Sequence, residues 1–114
     1  MAGRMRRVNE ALRVVLSQAI PELKDPRIGF VTVTGVDTTP DLRYATVYVS
    51  VLAKDKQRAR TLSALNAAVG VLQGRIGREV RLKRTPQLAF EYDPSVAEGV
   101  RMSKLIDDLI PDDE

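Results

Sequence analysis

At 114 residues, the chain is long enough for one domain with a single modest core. It contains no cysteine and no histidine, which excludes disulfides, thiolate nucleophiles, cysteine-ligated zinc and the commonest general base. The net charge is only +3, but residues 54–84 carry nine cations against two acids, whereas residues 85–114 carry two cations against eight acids. This asymmetry predicts a polyanionic partner for the basic part.

The first predicted element is an amphipathic helix from Arg4 to Leu23, because its apolar residues recur at three- and four-residue steps. Pro21 disfavours helical geometry in the residue before it, so the regular helix is expected to stop at Ala19 or Ile20. The basic start of this helix lacks an apolar signal core, and no apolar run approaches the length of a membrane span. We therefore expect a cytoplasmic protein without membrane contact.

A turn is predicted at residues 24–29, KDPRIG. Asp25 and Pro26 supply the turn chemistry, and Lys24 and Arg27 are expected to reach outward from it.

Two strands follow, over residues 30–36 and 42–52, joined by a hairpin loop at 37–41. Gly35 is expected to mark a bulge. The second strand alternates between an apolar face and a mixed polar face, which predicts a sheet covered by helices on one side only.

Residues 55–77 predict two helical pieces separated by a bend at residues 68–70. One stripe is apolar and carries Leu62, Leu65, Val69, Leu72 and Ile76. A second stripe contains only small residues, Ser63, Ala67, Gly70 and Gly74. Because an interior glycine costs helix propensity, a bend or a close approach is expected there.

A third strand is predicted at residues 88–92, with Pro86 at its start or on an edge. A short last helix is expected to begin near Ser95. The chain is thus predicted to be a single domain over residues 1–106, followed by an acidic, flexible tail over 107–114.

The predicted order, α-β-β-α-kink-α-β, gives an α+β domain with a three-stranded mixed sheet and helices on one face. This order matches the type II KH domain, whose GxxG loop is here replaced by Ala68-Val69-Gly70.

Five segments carry a resemblance: KDPRIG at 24–29, TVTGV at 32–36, DLRYATVYVS at 41–50, AVG at 68–70 and PQLAFEYD at 86–93. The run of KDPR, DLRYA-x-VYVS and PQL-x-F-x-YD, in this order and spacing, is specific. Through these segments the chain resembles the bacterial ribosome-binding factor A family along nearly all its length.

The resemblance implies a monomeric assembly factor that binds the free small (30S) ribosomal subunit and its rRNA. Such factors assist late maturation of the 5′ end of the 16S-type rRNA and matter for growth in the cold. It implies no enzymatic activity, no cofactor, no metal and no small-molecule substrate. Gln73 and Lys83 stand where the family often has arginine, and both changes reduce bidentate phosphate contacts.

The predicted RNA site combines the bend with the cations around it, because cations bind phosphates and release counterions. Its candidate residues are Arg4, Arg6, Arg7, Lys24, Arg27, Arg58, Ala68, Gly70, Arg75, Arg78, Arg81, Lys83 and Arg84.

Other interpretations of the same features remain open at this point. The small stripe, and Ala67 above all, is equally typical of tight helix packing. Tyr44 and Tyr48 could stack bases, although tyrosine on a half-exposed strand needs no special reason. The alternative function is a basic protein-interaction module that binds an acidic partner, with the sheet edge accepting a strand. A metal-dependent nuclease would need carboxylates such as Asp37 and Asp41, which are also typical turn residues.

Overall fold

The computed structural model describes residues 2–95 and has the predicted element order. The elements are α1 (Ala2–Ala19), a 3-10 turn (Ile20–Glu22), β1 (Val31–Thr38), β2 (Tyr44–Val51), α2 (Asp55–Ala67), α3 (Val69–Glu79) and β3 (Gln87–Tyr92). The predicted last helix lies outside the described residues apart from its start at Ser95, as does the acidic tail. The division into residues 1–106 and 107–114 therefore stays a prediction.

Helix α1 lies over the sheet along a continuous apolar stripe, in which Leu12 and Leu16 are fully buried. It ends at Ala19, and the chain tightens into the 3-10 turn at the proline, as the sequence predicts. Within the part of the chain that is described, no helix is sufficiently long and apolar to cross a membrane.

The three strands form a mixed sheet in the order β1-β2-β3, in which β1 and β2 are antiparallel and β2 and β3 are parallel. The register shifts between Val33 and Gly35, so the predicted bulge at Gly35 is confirmed. On β2, Ala45, Val47 and Val49 are buried under the helices, whereas the alternate residues lie on the open face. The prediction of helices on one face is confirmed.

The strand boundaries differ from the predicted ones at the hairpin. Phe30 lies outside β1 and is highly exposed, and β1 instead continues to Thr38. Strand β2 begins at Tyr44 rather than Leu42, because Leu42 has a positive φ of 61°. A left-handed residue cannot continue a strand, so the ladder starts two residues later.

Helices α2 and α3 meet at Ala68, which has φ −93° and ψ 5°. The Ala68 N–H donates to the carbonyls of Ala64 and Leu65, and the Ala68 carbonyl accepts from the Leu72 N–H at 3.1 Å. The chain therefore bends with its helical hydrogen bonds largely kept. Leu65 and Leu72, one on each side of the bend, are buried in the core, as the apolar stripe predicts.

The free edge of β3 is covered by side chains of the two bent helices. Asn66 Oδ1 on α2 accepts the N–H of Phe90 at 3.2 Å, and Gln73 Oε1 on α3 accepts the N–H of Leu88 at 3.3 Å. An uncovered edge would present these donors to another chain. The two amides close this edge and fix each helix to the same strand.

The KDPR turn is attached to α2 through one carbonyl. The buried hydroxyl of Thr61 donates to the Arg27 carbonyl at 2.9 Å, and Gln57 Nε2 reaches the same oxygen at 3.5 Å. Thr61 has no exposed surface, so its hydroxyl has to be paired within the fold.

We expect Thr61→Val to lower the free energy of unfolding by about 1–3 kcal/mol, because the Arg27 carbonyl keeps only the long contact to Gln57. Urea unfolding measures this change. The control is Thr32→Val on the exposed face of β1, where we expect a change within about 0.5 kcal/mol. Equal stability of the two variants would contradict the role assigned to the Thr61 hydroxyl.

Candidate nucleic-acid interface

The first basic group lies on the opening turns of α1, where Arg4, Arg6 and Arg7 are all exposed. Further along the helix, Asn9 Oδ1 accepts the N–H of Thr38 at 3.0 Å. This bond holds the start of α1 against the end of β1 and its hairpin loop. The position of these arginines relative to the β1–β2 loop is therefore fixed by the fold.

The second basic group lies at the end of α3 and in the segment before β3. Arg78 is in the last turn of α3, and Arg81, Lys83 and Arg84 are exposed in the segment. Val80 and Leu82 pack against the core, which turns the intervening cations outward.

The fold brings these two basic groups together. A cleft of about 630 Å³ opens between the start of α1, the β1–β2 loop and the segment before β3. We call it the basic cleft; it is lined by Arg4, Met5, Val8, Pro40, Asp41, Leu42, Arg81, Leu82, Lys83 and Arg84. Its four cations form no ion pair with any residue between 2 and 95. Their charge is available to a ligand.

Three other candidate cations are held by acids of the fold. The expectation that Arg27 reaches outward is wrong, because its Nε and Nη2 donate to the Asp25 carboxylate at 3.1 and 2.8 Å. Arg58 pairs with Asp55 at 3.1 Å, and its guanidinium lies 4.1 Å from the centre of the Tyr92 ring. The guanidinium groups of these two arginines therefore already bind carboxylates of the protein.

Arg75 is the most enclosed of the three. Its guanidinium pairs with Glu22 at 2.7 Å and with Glu79 on the next turn of α3. The first of these bonds joins α3 to the 3-10 turn across 53 positions of sequence. A role for Arg27, Arg58 or Arg75 in RNA binding stays a prediction, and each would have to give up an internal partner to play it.

The bend itself is open to solvent on its small side. Ser63, Ala67, Gly70 and Gly74 are all exposed. The interpretation that Ala67 packs tightly within the fold is therefore wrong. A Cβ on Gly70 would meet no atom within 4 Å, whereas one on Gly74 would lie 3.6 Å from Nη1 of Arg78. Arg78 thus lies beside Gly74, which places a cation on the small stripe one turn of α3 from Gly70.

The remaining candidates have simpler surroundings. Lys24 is exposed and forms no ion pair with residues 2–95. Gln73, one of the two departures from the family pattern, accepts a bond from β3 as described above. Tyr44 is 58% exposed on the open face of the sheet, and Tyr48 beside it is half-buried.

The two loop carboxylates do not form a metal site with a third ligand. Within residues 2–95, no three acidic side chains come close enough to hold a metal ion. Asp41 Oδ1 accepts from the Thr39 hydroxyl at 2.7 Å and from the Arg43 N–H at 3.1 Å. These bonds, the Thr39 bond first, hold the pKa of Asp41 below its usual value. Asp41 therefore acts as a turn residue.

Residues 4–106 match the family model described as ribosome-binding factor A. The chain belongs to the ribosome-binding factor A family. The matched range contains every candidate RNA-binding residue.

Solved structures of the family share the fold. The chain is 30% identical to the crystal structure of ribosome-binding factor A from Thermus thermophilus, with a TM-score of 0.70 over 77% of this chain and 94% of that one. It is 34% identical to a solution structure of a putative ribosome binding factor A from Thermotoga maritima, with a TM-score of 0.73 over 80% and 88%.

A third match is a homology model of the Thermus thermophilus factor fitted into a cryo-EM map of a 30S–RbfA complex. It is 31% identical, with a TM-score of 0.62 over 74% of this chain and 89% of that one. The KH-like fold predicted from the element order is confirmed by these matches.

The Asp25–Arg27 pair gives the turn at residues 24–29 a pH dependence. Bonds from the Arg27 side chain, and then from its backbone N–H, lower the pKa of Asp25 from 3.8 to about 2. Because the pKa is lower in the folded state, the pair stabilises the fold above the unfolded value of 3.8. This stabilisation disappears as the pH falls through about 2.

We expect Asp25→Asn to lower the Tm at neutral pH, because asparagine keeps an acceptor for the Arg27 N–H and loses the charge. The gap between the wild type and the variant should close as the pH falls from 3.8 to about 2. Circular dichroism melts across this range measure it. Asp37→Asn, an exposed change in the same protein, is the control at neutral pH. A gap that stays constant at low pH would contradict the charged pairing.

Proposed function

We propose that this protein is a cytoplasmic assembly factor that binds the free small (30S) ribosomal subunit through its rRNA. On this proposal it assists late maturation of the 5′ end of the 16S-type rRNA, acts as a monomer and catalyses no reaction itself. The observation that carries the proposal is the basic cleft. In it, unpaired cations from the start of α1 and from the segment before β3 face solvent together.

The family supports the identity of the partner. A relative that is 31% identical was fitted into a map of its complex with the 30S subunit. The basic cleft supplies what such a partner requires, because Arg and Lys side chains neutralise phosphates and release their counterions. Arginine also offers a planar pair of donors for a phosphate.

The bend supports a second contact with the RNA backbone. Its small side is exposed, no side chain caps the start of α3, and Arg78 lies along the stripe. A backbone can approach such a surface closely, as it does at the GxxG loop of other KH domains. We propose that the bend and the basic cleft hold two parts of one rRNA segment in an immature arrangement.

A second candidate is a protein-interaction module for an acidic partner. The outer edge of β1 has no neighbouring strand among residues 2–95, and the exposed Phe30 and Leu52 lie where this edge begins. A partner strand could pair with this edge. The basic cleft does not support this second function, because it lies at the β1–β2 loop, at the opposite end of the hairpin from Phe30 and Leu52.

The test is co-sedimentation of the purified protein with free small subunits, large subunits and assembled ribosomes at low and moderate salt. We expect the wild type to bind free small subunits selectively, and the affinity to fall as salt rises. The double variant Arg81→Gln with Arg84→Gln should bind roughly tenfold more weakly. It should also reduce the slope of log affinity against log salt by about 2.

The matched control is Arg13→Gln with Arg60→Gln, which removes the same charge from two helical arginines outside the basic cleft and outside the candidate set. We expect its affinity to stay within about threefold of the wild type. Equal losses in both double variants would mean that only net charge matters. Equal binding to every particle would reduce the protein to a general polyanion binder. No binding at any salt would favour the protein-interaction module.

A further inference from the structure

The basic cleft has an apolar wall beneath its cations. Met5 and Val8 come from α1, Leu42 from the β1–β2 loop and Leu82 from the segment before β3. All four side chains are half-buried, so part of each is still exposed. A surface that only grips phosphates needs cations and no apolar wall, because phosphate oxygens gain nothing from contact with hydrocarbon.

The loop holds Leu42 in this wall at a conformational cost. Its φ of 61° is the one positive value at a non-glycine residue between 2 and 95. The Leu42 N–H donates to the Thr39 carbonyl at 2.8 Å, and Asp41 binds the Thr39 hydroxyl and the Arg43 N–H around it. Backbone strain of this kind persists where the surroundings fix it, and such positions concentrate at ligand sites.

The remaining features of the cleft define the chemical class of its ligand. Its volume of about 630 Å³ lies within the range of pockets for small organic groups. The one acid in the lining, Asp41, has its carboxylate engaged by Thr39 and Arg43, and four cations outweigh it. A ligand that matches this lining combines an apolar body with negative charge that can reach the cations of α1 and of the segment before β3.

We propose that the basic cleft binds a single unstacked nucleotide of the RNA, with its base against Leu42, Met5 and Leu82 and the flanking phosphates on the surrounding cations. The site lies on α1 and two loops and includes no residue of α2, α3 or the bend. It thus selects an RNA with a bulged or unpaired nucleotide over a continuous duplex. This proposal rests on the proposed function, because it requires that the protein binds RNA.

The test compares three RNA hairpins that differ at one position: a bulged adenosine, an abasic bulge with the same phosphates, and a fully paired stem. Fluorescence anisotropy at constant salt gives their affinities for the wild type. We expect the bulged adenosine to bind about tenfold more tightly than the abasic bulge, since burying part of one base against aliphatic side chains contributes about that much. The abasic bulge reports the phosphate contacts alone.

The decisive variant is Leu42→Asn. Asparagine adopts the left-handed conformation more readily than leucine does, so the loop is expected to keep its shape while the wall becomes polar. The preference for adenosine over the abasic bulge should fall to about twofold or less, with the affinity for the abasic bulge unchanged. The control is Leu52→Asn, an equivalent change at a leucine that is 84% exposed outside the cleft, and it should keep the full preference.

The outcomes separate this proposal from the proposed function. Equal binding of the adenosine and abasic bulges by the wild type would overturn the nucleotide site and leave RNA binding intact. Equal preferences in the two asparagine variants would also overturn it, because the base would then lie elsewhere. Failure to bind any of the hairpins or the small subunit would overturn the proposed function, and the nucleotide site with it.

Discussion

The structure depends on burying one face of a three-stranded sheet under three helices. The central strand β2 carries Val47 and Val49 with no exposed surface, and the apolar stripes of α1, α2 and α3 converge on it. A sheet this small has one covered face, so every apolar stripe has to meet at the same layer. The cations of the basic cleft lie at the start of α1 and in the segment before β3, where the elements stop covering one another.

This arrangement divides the cations into two classes. Arg27, Arg58 and Arg75 lie where elements join, and each binds an acid that helps to fix a turn or a helix end. Those of the basic cleft lie where chain segments meet at the surface, and no acid of the described chain pairs with them. The distinction matters because an ion pair already formed in the fold has to be broken before its arginine can bind a phosphate.

The sequence predicts the elements well because their signals are local. The apolar stripe from Leu62 to Ile76 and the alternation along β2 are direct readouts of helix and strand periods. The bend at Ala68 and the bulge at Gly35 follow from glycines placed inside those periods. The ends of the strands are harder to predict from the sequence, because the start of β2 depends on the backbone conformation of Leu42.

The site is predicted less completely because its geometry is set by distant contacts. Arg4 and Arg84 meet only because α1 crosses the sheet toward the hairpin loop, which no local pattern indicates. The pairing of Arg75 with Glu22 is likewise invisible in the spacing of charges. Short sequence spacings do indicate the other pairs: Asp25 with Arg27 in the turn, and Asp55 with Arg58 at helical spacing.

The amides of Asn66 and Gln73 bear on how the bend behaves mechanically. Each binds a backbone N–H of β3, one from either side of Ala68. Both helices are therefore bonded to the same strand, and the angle between them cannot open without breaking one of these two hydrogen bonds. A surface set in this way before its partner arrives loses little conformational freedom on association. On the proposed function, the RNA rather than the protein changes its conformation on binding.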